Sequence, residues 1–258
     1  MNFKSLFKIR GLKAGYCTVC DKPSLFILND ELWKIRNHAI CIHCHSVSRH
    51  RHMAYCISMA LKEKGIKQYT DLRRRPDIAI YFAESGTQLV TALRNNPSLT
   101  VLEFFDDCRP GEIKNNILCQ DLQKLTFDDN KFDIVVTQDV FEHIQDWRTA
   151  AKEIYRVLKN GGAHIFSVPF YFVSHTKKLF DNVNGNFIPV VEPIEYHGDG
   201  IRGMIPAYNH FGFDMIEEMT RIGFNIKIDI PKYREYHHYG FFDCYTFIAY
   251  KTGVIKNP

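Results

Sequence analysis

From residue 77 onward, short apolar runs alternate with stretches of helical periodicity, and this alternation constrains the fold more than any other feature. "DIAIYFA" (77–83) reads as a buried strand that turns into "TQLVTALR" (87–94), a helix with Leu89, Leu93 and Val90 facing inward. "LTVLEFF" (99–105) is a second strand, followed by a loop with Pro110 and Gly111 and then the short strand "NILCQDL" (116–122). "KFDIVVTQDVFEHI" (131–144) centres on Ile134, Val135 and Val136. In "WRTAAKEIYRVL" (147–158), Ala151, Ile154, Val157 and Leu158 share one helical face, which "KNGG" closes as glycines do just past a helix end. "AHIFSVPF" (163–170) is again a strand. This pattern predicts a mostly parallel sheet with helices on both faces. Later, "DMIEEMTRIGF" is a helix stopped by Gly223, and "FNIKIDI" and "FFDCYTFIAYK" are strands joined by a tyrosine- and histidine-rich loop. Two strands with no helix between them predict an antiparallel pair at one edge.

The first fifty residues are different: rich in Cys and His, with weak periodicity. "CTVC" (Cys17, Cys20) and "CIHC" (Cys41, Cys44) are two C-x2-C knuckles twenty residues apart. Tetrahedral zinc takes four ligands, with sulfur at about 2.3 Å, and each knuckle points two sulfurs at one place. A structural zinc on Cys17, Cys20, Cys41 and Cys44 is expected, with His43 or His45 as a possible substitute for one thiolate. A segment this poor in apolar periodicity needs such a staple. The other four cysteines, Cys56, Cys108, Cys119 and Cys244, read as small apolar fillers. "RHMAYCISMALKEKGI" (51–66) reads as an amphipathic helix with Met53, Ile57, Ala60 and Leu61 as its stripe.

Residues 1–75 carry 15 Lys/Arg against 5 Asp/Glu, whereas the rest carry 18 against 24. A basic front on an acidic body suits RNA, phosphorylated substrates or an acidic partner, or is simply a solvated surface. No apolar run reaches the about 18 residues of a membrane span. The opening "MNFKSLFKIRGLKAGY" lacks the apolar core and cleavage site of a secretory leader, so a cytoplasmic location is expected.

Residues 127–170, "FDDNKFDIVVTQDVFEHIQDWRTAAKEIYRVLKNGGAHIFSVPF", resemble the later motifs of class I S-adenosylmethionine-dependent methyltransferases of the type 11 kind. That family has a Phe–Asp pair opening strand four, an acidic–His pair after it, and a helix ending "RVLKPGG"; Asn160 stands here where it has proline. The resemblance spans roughly 77–250, and the front half resembles a branch with a two-knuckle cysteine module. "YFAES" (81–85) matches that branch's Phe–Ala–Pro–Glu first cofactor turn with the proline missing. The implied architecture is α/β: a Rossmann-like, doubly wound, mostly parallel sheet with an antiparallel C-terminal edge, plus a small N-terminal zinc-ribbon-like module. The implied organisation is a zinc module over 1–50, a connecting helix and basic linker over 51–76, and a methyltransferase domain over 77–258 with an acceptor or lid insert at 171–213.

By that resemblance S-adenosylmethionine lies across the carboxyl ends of the strands. Glu84 and Gly86 line its methionine end, Ala83 permits close backbone approach, and Asp106 (rivals Asp107 and Glu103) takes the ribose hydroxyls. Asp121 and Leu122 meet the adenine, and Gln138 faces the same crevice. Asp121 as a loop cap, and Glu142 and His143 as anchors of the following helix, are the plainer alternatives, while Asp133 reads as structural. Methyl transfer needs the acceptor atom about 3 Å from the methyl carbon, plus a base if that atom is a hydroxyl. His143, His197 and His210 are the candidates for that base. "VEPIEYHGDG" and "AYNHFGFD" in the insert suit a hydroxylated small-molecule or glycan-like acceptor, or a lid. The expected function is methyl transfer to such an acceptor, at oxygen. Two other readings are an RNA methyltransferase gripping its substrate through the basic module and a non-catalytic binding protein on the same scaffold.

Overall fold

The computed structural model describes residues 9–29 and 37–252. Residues 1–8 of the stretch read above for a leader, and 30–36 of the cysteine-rich segment, lie outside the described residues. The chain divides into two compact units, one of residues up to 78, 86–99 and 228–248, the other of 79–85, 100–227 and 249 onward.

In the first unit, β1 (Ile9–Cys17) pairs antiparallel with β2 (Lys22–Asn29), and β2 pairs with β3 (Ile40–Cys41), with Phe26 opposite Cys41. α1 (Ser48–Ala60) starts three residues earlier than expected. It is not amphipathic: Arg51, His52, Met53, Ala54, Cys56 and Ile57 are all fully buried. The reason is that distant segments of the same unit wrap it. Ser48 Oγ accepts from the Phe242 N–H at 2.5 Å, and His52 is held at 2.8 Å by Asp229 and at 2.9 Å by Thr246.

Elements of the doubly wound part follow in chain order as β4 (Ile80–Phe82), α2 (Gln88–Leu93), β5 (Leu99–Glu103), β6 (Ile113–Lys114), β7 (Ile117–Cys119) and β8 (Phe132–Gln138). They continue with α3 (Trp147–Val157) and β9 (Leu158–Ser167). Thr87 Oγ1 caps α2 by accepting from Val90 N–H, and Asp146 caps α3 by accepting from Thr149 N–H. The insert after β9 is three two-stranded antiparallel ribbons built from β10 (Lys177–Lys178), β11 (Phe180–Val183), β12 (Asn186–Pro189), β13 (Tyr196–Asp199), β14 (Gly203–Pro206) and β15 (Asn209–His210). α4 (Asp214–Ile222), β16 (Phe224–Asp229), α5 (Tyr233–Tyr239) and β17 (Thr246–Lys251) complete the order. α5 occupies the tyrosine- and histidine-rich stretch read as a loop. Its start is secured by Glu235, which accepts from Lys232 N–H at 2.8 Å.

The sheet runs β16, β17, β9, β8, β4, β5, β7, β6. β4–β8, β8–β9 and β5–β7 are parallel, and β6 returns antiparallel to β7. All seven residues of β8 are buried, as a central strand covered on both faces requires. The α/β, Rossmann-like architecture is as expected. Asp133 at the start of β8 accepts from Ala79 N–H at 2.9 Å and from the Lys159 ammonium at 2.7 Å, which makes it the structural tie its position implied.

"KNGG" does not cap α3. The helix ends at Val157, and Leu158 turns at once into β9 with φ −71° and ψ 139°. Gly162 is instead demanded by packing, because a Cβ there would stand 2.9 Å from the backbone oxygens of Asp133 and Lys159. Gly162→Ala is therefore expected to cost about 1 to 3 kcal/mol of stability, read as a lowered urea midpoint. Among the described residues no helix is long and apolar enough to cross a membrane.

Candidate active site and cysteine cluster

Within the second unit, a cavity of about 500 Å³ opens beyond the carboxyl ends of β4, β5 and β7 and is bounded on its far side by the β13–β14 ribbon. Ala83, Asp106, Asp121 and Leu122 line it, as does His143. Of the three acidic rivals after strand two, Asp106 alone reaches this cavity. Asp107 pairs with Lys114. Glu103 accepts from both Ser85 N–H and Ser85 Oγ at 2.6 and 2.7 Å, and burial raises its carboxyl above the ordinary range. Asp121 lines the cavity while its Oδ1 accepts from Gln123 N–H at 2.8 Å, so the capping alternative describes one of its oxygens.

Glu84, Gly86 and Gln138 are not among the lining residues. Gly86 belongs to the first unit, and a Cβ on it would meet nothing within 4 Å, so nothing in the chain itself requires glycine there. Gln138 ends β8, is nearly buried at 4 % exposure, and neither of its amide atoms has a hydrogen-bond partner. Leaving such a group unsatisfied costs about 1 to 3 kcal/mol. An orphaned amide at the end of the central strand marks a place where a polar ligand group is wanted.

The three candidate histidines are brought together. His143 Nδ1–H donates to the Pro206 carbonyl at 2.7 Å, and its Nε2 lies 3.1 Å from His197 Nδ1. Glu195 bridges the other two, with Oε1 2.8 Å from His197 Nε2 and Oε2 2.6 Å from His210 Nε2. Although burial acts in the opposite sense, these two imidazoles hold Glu195 below the usual carboxylate range. Burial pushes His143 below the ordinary histidine range, so it is neutral near pH 7.

Sequence reasoning missed Arg202, Phe104, Gln145 and Tyr208, all of which line the cavity. Arg202 is anchored by Asp199 at 3.1 Å and lies over the Phe104 ring at 5.2 Å, and Gln145 donates to Tyr208 Oη at 3.2 Å. The signal available was the paired spacing Asp199–Arg202 in a glycine-flanked turn.

In the first unit the four knuckle sulfurs lie within 4.8 Å of one another. Cys17 and Cys44 are 3.6 Å apart and Cys20 and Cys41 3.9 Å, close to the edge of about 3.8 Å set by a tetrahedron with bonds of about 2.3 Å. The knuckles are built alike. Asp21 N–H donates to Cys17 O at 2.8 Å, and His45 N–H donates to Cys41 O at 2.9 Å. Both fourth-following residues are left-handed, with φ of 60° and 59°. The neighbouring knuckle thiols, Cys20 foremost at Cys17, draw Cys17 and Cys41 toward the thiolate form. The donor set fits a closed, structural zinc.

Arg51, one of the cations counted in residues 1–75, contacts no solvent. Its guanidinium donates to the carbonyls of Ala39, Ser46, Tyr239 and Gly240 at 2.7, 2.8, 2.9 and 2.8 Å and stacks 3.9 Å over Phe26. It is unavailable to a phosphate backbone. Arg75 is likewise engaged, by Asp77 at 2.6 Å.

Comparison with known proteins places residues 78–166, about a third of the chain, in a match to the family described as a methyltransferase domain. Sterol 24-C-methyltransferase erg6 of Aspergillus fumigatus is 32 % identical over 102 residues, which is 37 % of this chain and 26 % of that protein. The chain thus spans about a quarter of that relative's length. An S-adenosylmethionine-dependent methyltransferase from Clostridium acetobutylicum overlaps 78 % of this chain and 92 % of its own, with TM-score 0.44 and 16 % identity. DesVI of Streptomyces venezuelae overlaps 78 % and 95 %, with TM-score 0.43 and 13 % identity. The segment that supplies β4, β5, β7, β8 and most of β9 therefore matches the methyltransferase-domain family.

Proposed function

We propose that this protein is an S-adenosylmethionine-dependent methyltransferase acting on a hydroxylated small-molecule or glycan-like acceptor, with a structural zinc on Cys17, Cys20, Cys41 and Cys44. The observation that carries the reading is that the family match covers the strands whose carboxyl ends border the polar cavity holding Ala83, Asp106, Asp121 and Leu122. The cofactor supplies an electrophilic methyl group. The chain's part is to bind it, with Asp106 toward ribose and Asp121 and Leu122 toward adenine, and to hold the acceptor in line. Glu84 and the orphaned Gln138 amide are assigned to the cofactor's methionine side. His143, His197 and His210 stand where a proton leaving an acceptor hydroxyl would be received. The burial of Arg51 removes one cation from the basic module and weighs against the RNA reading.

Calorimetry with S-adenosylmethionine and S-adenosylhomocysteine tests the reading. Saturable binding of both is expected, weakened about tenfold to hundredfold by Asp106→Asn or Asp121→Ala, because each removes a charged hydrogen-bond acceptor. Absence of heat with either ligand at about 1 mM sinks it.

A further inference from the structure

Glu142, His143 and His197 present three ligand atoms to one point, and no sequence motif for a metal announced it. The hydrogen bonds around the two imidazoles fix where their protons are. His143 Nδ1 faces a carbonyl oxygen, which only accepts, so that nitrogen carries the hydrogen and the neutral ring offers its lone pair at Nε2. His197 Nε2 faces the Glu195 carboxylate, so it too carries a hydrogen, and a neutral His197 offers its lone pair at Nδ1. Those two lone-pair nitrogens lie 3.1 Å apart, with the rings at 85° to each other. Glu142 Oε1 is 3.9 Å from each of them, on a side chain that is 0 % exposed. Three electron-pair donors thus converge where nothing of the chain stands between the two nitrogens.

We infer that Glu142, His143 and His197 form a binding site for a first-row divalent transition metal beside the cavity that His143 lines. Ligands about 2.1 Å from one ion stand about 3.0 to 3.4 Å apart, so the nitrogens are already placed and the carboxylate closes by less than about 1 Å. Two imidazoles and one carboxylate suit manganese, iron, cobalt or zinc better than calcium or magnesium. The Pro206 carbonyl and Glu195 play the part of the outer hydrogen-bond acceptors that fix ligating histidines in other metalloproteins. Glu195 is itself held by His210 at 2.6 Å, which gives that third histidine a positioning role.

Three protein ligands leave at least one position of the ion open, and His143 lines the cavity. An acceptor with a hydroxyl, and best with two adjacent ones, would bind there. Beside the ion the hydroxyl would give up its proton more easily, to water at the open cavity, because His143 Nε2 and His197 Nδ1 then hold the ion instead of serving as the base proposed above. Its oxygen then bonds to the methyl carbon as the carbon–sulfur bond breaks, with that electron pair passing to sulfur and leaving a neutral thioether. The metal site stands by itself; its use in methyl transfer rests on the function proposed above.

The test is a Mn²⁺ titration of the zinc-loaded protein followed by electron paramagnetic resonance, since four thiolates discriminate against manganese. Binding of one Mn²⁺ per chain is expected. Glu142→Gln and His197→Ala should weaken it by more than tenfold, and Glu195→Gln by about tenfold to hundredfold. Thermal melts of each variant check that it is folded. Independently of any variant, Mn²⁺ should broaden the imidazole signals of His143 and His197 in the native protein before those of the other histidines. No saturable binding by about 1 mM, unchanged affinity in folded His197→Ala, or broadening confined to other histidines would overturn the assignment. Calorimetry with S-adenosylmethionine separates the two claims: cofactor binding without Mn²⁺ binding refutes the metal site alone, and the reverse refutes the methyltransferase reading alone.

Discussion

Arg51→Met is expected to lower the free energy of unfolding by about 4 kcal/mol or more, enough to leave little folded protein at 37 °C in a domain of ordinary stability. The substitution keeps much of the apolar stem but strands four carbonyls that the guanidinium now serves, three of them in buried hydrogen bonds. Each unsatisfied carbonyl costs about 1 to 3 kcal/mol. Arg51→Lys should fall almost as far, because one ammonium cannot reach four acceptors arrayed around a planar fork. Arg74, exposed and nearby in sequence, is the control: Arg74→Met should change stability by less than about 0.5 kcal/mol. Urea unfolding of the three variants decides the matter, and an unchanged midpoint for Arg51→Met would refute the account of this core.

Loss of the zinc is the second large effect. Protein purified without chelator should contain zinc bound by Cys17, Cys20, Cys41 and Cys44, and its removal should unravel the β1–β3 ribbon. Structural zinc contributes apparent free energies on the order of 10 kcal/mol in small modules, so chelation or Cys41→Ser should outweigh any single core substitution. Cys108→Ser, at a cysteine that is not part of the cluster, should leave the melting curve in place. Cobalt substitution separates this site from the histidine site, since only thiolate ligands produce sulfur-to-cobalt charge-transfer absorption. If Cys41→Ser melted like the native protein, the cluster would be four ordinary thiols.

What the sequence made legible follows the range of the interactions involved. The knuckles could be read because each is a local turn, and their sulfurs meet at 3.6 to 3.9 Å as the spacing demanded. β8 and α3 could be read because their periodicity is strong and uninterrupted. α5 was missed because none of its residues is fully buried and tyrosine and histidine are poor helix formers, so that only the Glu235 cap hints at it. α1 was misread because its polar residues look like an outer face. Arg51 and His52 are in fact satisfied by residues nearly two hundred positions later. Among site residues, Asp106 and Asp121 both line the cavity, but the meeting of His143 with His197 depends on the folding of a ribbon that no period of two or 3.6 reveals.

The fourfold grip of Arg51 has a temporal consequence. Its carbonyl partner on Tyr239 lies 188 residues downstream. At about 5 to 20 residues per second, a ribosome needs about 10 to 40 s to deliver that partner after Arg51 itself. The four cysteines, by contrast, are all available once Cys44 has emerged. Metal capture can therefore come first and hold the nascent ribbon, while a charged helix waits, unburied, for Tyr239 and Gly240 to arrive.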